Sequence, residues 1–351
     1  MPDYFKSQVT DLPGYQSPPQ SRVKAKLNQN ESPFDVPEML KEQILAQARQ
    51  LEWHRYPEHS SSLLRTKLSE WLGFSPDSFV LGNGSNQLLQ TLLNATISDG
   101  EKVLICPPTF SLFDLFPPLY GAELINVYNN EDLQVDQELV LEKIKTEHPK
   151  LTLLCSPNNP TGAELSLDFL ETVLDLSPNL VLWDEAYAEF TDQSALELLP
   201  KYENLIISRT FSKAFSIAGL RFGYFIAHPH IAAQLLKVNL PYNINLFTES
   251  VALTLLGNKS VLMEQVQYIR RQRDRLYKIL CAMENIEVFP TAANFVLFRV
   301  HNGKQVFNAL KERGVLVRDV SGYPLLQNCL RVNAGTEAEN NLFIDALKEV
   351  S

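Results

Sequence analysis

Apolar residues recur at two different spacings along this chain, and the two alternate through most of its length. Helical spacing runs over 37–51, where Met39, Leu40, Ile44, Leu45 and Ala48 share a face, and recurs over 61–72, 87–93, 139–145 and 167–176. Between these lie short apolar runs at 78–81, 102–106, 124–127, 151–155, 179–184, 204–208 and 222–227, which read as buried strands. Strands alternating with helices predict an α/β fold with a mostly parallel, doubly wound sheet. Beyond 245 the pattern changes to long helices at 248–256 and 260–283, then short strands at 286–289, 294–300, 314–318 and 329–333 among helices at 304–313 and 337–350. This predicts a smaller α+β domain. The expected partition is a large domain over 46–245, a small domain made of 31–45 with 246–351, and an extended N-terminal arm over 1–30, where prolines and polar residues show little periodicity.

Composition narrows the picture. At 351 residues the chain is long for one core, which suits two domains, and 45% hydrophobic with 21% charged residues argues against disorder. A net charge of −10 argues against nucleic acid as a partner, since phosphate binding wants a basic face. Cys106, Cys155, Cys281 and Cys329 lack paired spacing and read as reduced thiols. The histidine pairs His54 with His59 and His228 with His230 lie outside any cluster of metal-ligand spacing, so no metal is expected. No basic leader followed by an apolar stretch is visible, nor any run of about 18 apolar residues, so a cytoplasmic protein away from membranes is expected. The arginines at 270, 271, 273 and 275 are expected to form a solvated helix face. No internal repeat or low-complexity tract is present.

Candidate chemistry concentrates at 208–223. Lys213 is surrounded by phenylalanine, alanine and isoleucine, and desolvation lowers an amine's pKa, as a lysine that must form a Schiff base requires. Thr210 and Ser212 supply hydroxyls, and Arg221 follows closely. A surface lysine beside a helix start fits the same residues, so its company decides. The run at 179–184 ends at Asp184, at the carboxyl end of a strand, where open parallel sheets bind ligands. A carboxylate there could pair with the protonated ring nitrogen of pyridoxal phosphate, with Tyr187 bonding the ring's phenolic oxygen. The turn containing Gly84, Ser85 and Asn86 opens a helix after a strand, which is an anion site by geometry, although plain turn chemistry gives the same pattern. Phe110 follows a strand and could stack on a flat ring, or pack in the core. Arg331 lies inside an apolar strand with no acid near in sequence, so a substrate carboxylate is a candidate partner, and a structural salt bridge the alternative.

Thr-Phe-Ser-Lys-Ala-Phe-Ser-Ile-Ala-Gly at 210–219, Asp-Glu-Ala-Tyr at 184–187 and Ser-Pro-Asn-Asn-Pro-Thr-Gly at 156–162 occur here in an order that resembles the fold type I pyridoxal-phosphate aminotransferases. Within them the chain is most similar to the histidinol-phosphate aminotransferases, from about Gly14 to the C-terminus. The resemblance implies pyridoxal 5′-phosphate on Lys213. It also implies that Gly84, Ser85 and Asn86 cradle the cofactor phosphate and that Asn159 bonds the phenolic oxygen and faces substrate. A homodimer is implied too, in which Tyr56 reaches the neighbouring subunit's cofactor phosphate. Tyr15 and Arg318 match residues of the substrate phosphate site, and Arg331 matches the carboxylate-binding arginine. The implied reaction moves an amino group between L-histidinol phosphate and 2-oxoglutarate, a phosphorylated amine and a 2-oxo acid. Threonine-phosphate decarboxylation and aromatic transamination share these parts, and a regulator without turnover is a further class, although no winged-helix segment or basic patch precedes the domain. The chain departs from the family at Ser32, where the Asn-Glu-Asn-Pro turn usually has asparagine, and at Phe110, where tyrosine is common.

Overall fold

The computed structural model describes residues 4–10 and 23–350. Thirteen strands occur among these: β1 (Ala25–Lys26), β2 (Phe79–Gly82), β3 (Lys102–Ile105), β4 (Glu123–Asn126), β5 (Leu151–Cys155), β6 (Leu180–Asp184), β7 (Leu205–Thr210), β8 (Gly223–Ala227), β9 (Glu287–Val288), β10 (Phe295–Arg299), β11 (Val315–Leu316), β12 (Arg318–Asp319) and β13 (Cys329–Asn333). Seven of them form one sheet in the order β2-β8-β7-β6-β5-β3-β4. All its neighbours run parallel except β8, which is antiparallel to both β2 and β7. Every residue of β5, β7 and β8 is buried, as expected of apolar runs covered on both faces. One face packs on a cluster holding Phe79, Leu81, Leu154, Trp183 and Ile207, the other on one holding Val80, Leu89, Leu153, Leu182 and Ile206. Successive residues of each strand thus point to opposite layers. The expected doubly wound α/β fold is present, with one antiparallel strand let into it.

A second sheet, β12-β13-β10-β9, is antiparallel throughout. The single strand expected at 314–318 is in fact split. Val315–Leu316 pairs with β1, whereas Arg318–Asp319 pairs with β13, so the chain changes sheets at Val317. Strand β1 itself lies in the segment expected to be an arm without regular structure, because a two-residue strand carries no periodicity. The helix Pro229–Leu236 is likewise absent from the sequence reading, since a proline at its first turn looks the same as one in a loop. The helix Glu38–Ala48 packs on Leu246–Gly257.

The long helix Lys259–Cys281 shows that the arginine run is not simply a solvated face. Arg270 pairs with Asp192 at 2.7 Å, but Arg273 is buried, its Nη1 donating to the carbonyls of Phe190 at 3.2 Å and Ala293 at 3.1 Å. That guanidinium ties the helix to the turn after β6 and to the segment leading into β10. No helix among the described residues is long and apolar enough to cross a membrane. All the cysteines are free thiols, with Cys281 exposed and the rest buried.

Candidate active site

The carboxyl ends of β5, β6 and β7 lie side by side, with Cys155 paired to Asp184 and Asp184 to Ser208 in register. Each strand passes directly into a segment that carries a functional group. After β5, Asn158 fixes the loop by donating to the carbonyl of Pro108 and the hydroxyl of Thr161, each at 2.9 Å, and by accepting from Thr109 at 2.8 Å. This knits the loop bearing Asn159 to the one bearing Phe110. After β6, Asp184 Oδ1 accepts from the Ala186 N–H at 3.0 Å. Burial pushes its carboxyl up to about 7, against the N–H and Ser208, which favour the ionised form. After β7, Lys213 donates from Nζ to the carbonyl of Gln29 at 2.9 Å. Burial, aided by the positive charges of Arg331 and Arg221, lowers its amine to about 8.

The anion turn is shaped by what its glycines lack. Gly84 caps the helix Ser85–Thr96 with φ of 78°, and a Cβ there would lie 2.5 Å from Arg221 Nη2. Only glycine lets that guanidinium approach the helix N-terminus this closely. Arg221, itself left-handed with φ of 57°, is held by the Ser212 hydroxyl at 3.1 Å and the Ala218 carbonyl at 2.9 Å. The Ser212 N–H donates to Thr210 Oγ1 at 3.1 Å. Gly223 has a similar duty, since a Cβ on it would meet the Ser85 nitrogen at 2.6 Å. Behind the turn, Asn243 donates to the Leu81 carbonyl at 2.8 Å and to Gln87 at 2.9 Å, bracing the helix start.

These groups enclose one cavity of about 200 Å³, lined by Ser85, Asn86, Phe110, Cys155, Asn159, Asp184, Ala186, Tyr187, Thr210, Ser212, Lys213 and Arg221. Apart from Cys155 and Ala186, all are expected site residues. Arg331 stands just outside it, buried over the Phe295 ring at 5.1 Å, donating to Asn159 Oδ1 and to the Asn28 carbonyl at 3.1 Å. With its oxygen engaged by Arg331, Asn159 has its Nδ2 donor left for the cavity. Arg318 sits directly opposite Arg331 on the neighbouring strand, and its side chain has no hydrogen-bond or ion-pair partner among the described residues. Tyr56 does not line the cavity; it is 82% exposed and stacks on Tyr242 with ring centroids 4.7 Å apart. Tyr15 lies outside the described residues. Sequence reasoning misses Arg209 and Glu185, a buried pair in which Nε and Nη2 donate to one carboxylate oxygen at 3.0 and 2.7 Å, anchoring the backbone beside Asp184. An arginine next to Thr210 gives no signal of a partner just past the end of another strand. It also misses Asn30, which donates to the Tyr187 hydroxyl at 2.8 Å.

A strand-end lysine of lowered basicity, a buried carboxylate in want of a cationic partner and a helix N-terminus kept open beside an arginine define a site suited to a phosphorylated, ring-bearing cofactor. The family model for aminotransferase class I and II matches residues 22–347, and the chain belongs to that family. It is 40% identical to the histidinol-phosphate aminotransferase of Chlorobaculum tepidum over 93% of this chain and 94% of that one. Among solved structures, the histidinol-phosphate aminotransferase of Sinorhizobium meliloti in complex with pyridoxal-5′-phosphate superposes with a TM-score of 0.90 at 26% identity, covering 99% of this chain and 97% of that one. The L-threonine-O-3-phosphate decarboxylase of Porphyromonas gingivalis, at 22% identity and a TM-score of 0.80 over 93% of this chain and 98% of its own, shares the fold.

The raised Asp184 carboxyl has a consequence for stability in the cofactor-free protein. Between its ordinary value near 3.8 and about 7 the folded state keeps a proton that the unfolded state releases, so stability falls as pH rises through that window. Asp184→Asn removes this loss. Thermal unfolding of the two cofactor-free proteins should give similar midpoints near pH 4, a gap in favour of the variant that opens towards pH 7, and a constant gap above it. A difference independent of pH would contradict the burial argument.

Proposed function

We propose that this chain is a transaminase that moves an amino group between L-histidinol phosphate and 2-oxoglutarate, with pyridoxal 5′-phosphate held on Lys213. The observation that carries this reading is the single cavity in which Lys213, Asp184, Tyr187, Asn159 and the anion turn meet. The names of the curated relatives, at about 40% identity over most of the chain, support this substrate over the decarboxylation alternative. Gly84, Ser85, Asn86, Thr210, Ser212 and Arg221 would hold the cofactor phosphate, Phe110 would face the ring, and Asp184 would pair with its nitrogen. When bound, the cofactor supplies an electron sink for the charge left at the substrate's α-carbon. Lys213 would carry the cofactor, and its amine, when free, would take the proton from the substrate's α-carbon. An amine lowered to about 8 is partly unprotonated near neutrality, which suits a base that must also return a proton. Tyr187 and Asn159 direct donors at the phenolic oxygen. Borohydride reduction of the holoenzyme followed by peptide mapping should place the label on Lys213; label on another lysine would overturn this assignment.

Arg331 and Arg318 bind the anionic ends of the substrates. Directly opposed cations on one sheet face repel one another, and an anion bound between them removes that cost. Tyr15, which lies outside the described residues, is assigned to the same phosphate site by the resemblance. Histidinol phosphate has no carboxylate, so the arginines divide their work: Arg331 takes the α-carboxylate of the amino acid and Arg318 the phosphate. Charge-assisted hydrogen bonds to phosphate are worth roughly 1.5–3 kcal/mol. Arg318→Ala should therefore lower kcat/KM for histidinol phosphate about 10- to 100-fold while leaving phosphate-free histidinol nearly unchanged. Equal losses on both substrates would make its role structural.

The functional unit is a homodimer. Tyr56 is exposed and stacks on Tyr242, which His59 meets edge-on, an exposed aromatic group that a second copy would cover, bringing Tyr56 to that copy's cofactor phosphate. Sedimentation at working concentration should give the dimer mass, and mixing Tyr56→Phe with Lys213→Ala should restore some activity through mixed dimers. A fully active monomer would contradict both.

A further inference from the structure

A strap of three consecutive residues, Asn28 to Asn30, runs between the two sheets and meets a different site group at each position. Asn28 accepts from Arg331 and Gln29 accepts from Lys213 through their carbonyls, and Asn30 uses its side chain. Asn30 is 1% exposed, and its backbone is locked at both polar atoms: its N–H donates to Asn333 Oδ1 and its carbonyl accepts from Asn294 Nδ2, each at 3.1 Å. Its φ of 54° is left-handed, a conformation asparagine tolerates better than other residues bearing a Cβ. So the backbone is fixed by the small sheet, and the amide is delivered to a tyrosine that follows β6 of the large one.

We propose that Asn30 is a positioning residue that sets the direction of the Tyr187 proton. The statement rests on the placement of Tyr187 beside the cofactor's phenolic oxygen given above. A tyrosine hydroxyl has one proton and an oxygen that also accepts. At 2.8 Å the Asn30 amide donates to that oxygen, so the proton is left to point elsewhere, and the cavity lies on that side. A hydroxyl that accepts one bond is also polarised into a better donor. The Phe295 ring, edge-on at 5.3 Å, and the burial of Tyr187 at 3% exposure leave it little other room. The charged or titratable groups around it are Arg331, Asp184 and Cys155, with Lys213 across the cavity. Arg331 directs its donors to Asn159 and Asn28, and the hydrogen bond that reaches the Tyr187 oxygen comes from Asn30.

Donation to a phenolic oxygen stabilises its negative charge and so weakens that oxygen's hold on the neighbouring protonated nitrogen. The pH midpoint of the holoenzyme's visible absorbance reads this directly and does not require turnover. Tyr187→Phe should raise the midpoint by about one unit, a tenfold change in proton affinity. Asn30→Asp keeps the shape and the left-handed backbone but replaces the donor with an acceptor, which draws the tyrosine proton away; it should raise the midpoint by a similar amount. Asn30→Gly keeps the backbone bonds without the amide and should give a smaller rise. Combined with Tyr187→Phe, the glycine variant should add nothing and the aspartate variant less than half its original shift, the remainder being its charge.

An unchanged midpoint in Asn30→Gly and Asn30→Asp, with Tyr187→Phe shifted, overturns the proposal and leaves the tyrosine's placement standing. Full shifts that persist in combination with Tyr187→Phe overturn it too, because the effect then bypasses the tyrosine. No shift in Tyr187→Phe removes the placement itself, and this proposal with it. Should Asn30→Asp fail to fold, the glycine variant measured with and without Tyr187→Phe decides alone.

Discussion

Desolvation governs this molecule. The same small cavity lowers the basicity of Lys213 and raises that of Asp184, in each case with burial as the largest cause. A lone buried lysine or carboxylate is expensive, and both groups are shifted towards their neutral forms accordingly. Everything near them is arranged so that this cost is met with rigid support. The Arg209–Glu185 pair stiffens the backbone next to Asp184, and a main-chain carbonyl from a distant segment holds the lysine. Preorganised charge of this kind is useful to catalysis because nothing has to reorganise when charge develops.

The position of the cavity follows from the sheet. Parallel neighbours bring the ends of β5, β6 and β7 to one edge, so loops from three crossovers meet without any of them being long. The antiparallel β8 then returns the chain beside β2, which places Gly223 against the Ser85 nitrogen and Arg221 over Gly84. The anion turn and its arginine are therefore joined by strand pairing, although they lie far apart along the chain. That pairing explains why small residues are needed at both 84 and 223.

Much of this is legible in the sequence wherever one local pattern carries the information. Strand ends, the glycine before a helix start and a lysine among apolar neighbours are such patterns, and the residues they mark line the cavity. Long-range polar pairs are not legible. Asn30 meets Tyr187 and Asn333 across very large separations, and a proline-bearing segment with no periodicity offers nothing to pair it with. Arg273 is misread for the same reason, since helix spacing shows charge but not the carbonyls that receive it. The strand at 314–318 is visible, but its division at Val317 depends on two partners from opposite ends of the chain.

Strand β13 draws these threads together. Arg331 and Asn333 are two residues apart on it and so share a face, one gripping Asn159 and Asn28, the other the N–H of Asn30. Phe295, opposite Asn333 on β10, lies beneath the Arg331 guanidinium and edge-on to Tyr187. The guanidinium of Arg331 has bonds into both the strap and the Asn159 loop. Strand β13 itself is paired on both sides, with β12 and β10. Arg331 is bonded to the carbonyl of Asn28, and the next carbonyl along the chain, that of Gln29, holds Lys213. The two basic groups are thus tied to one strap, one peptide unit apart.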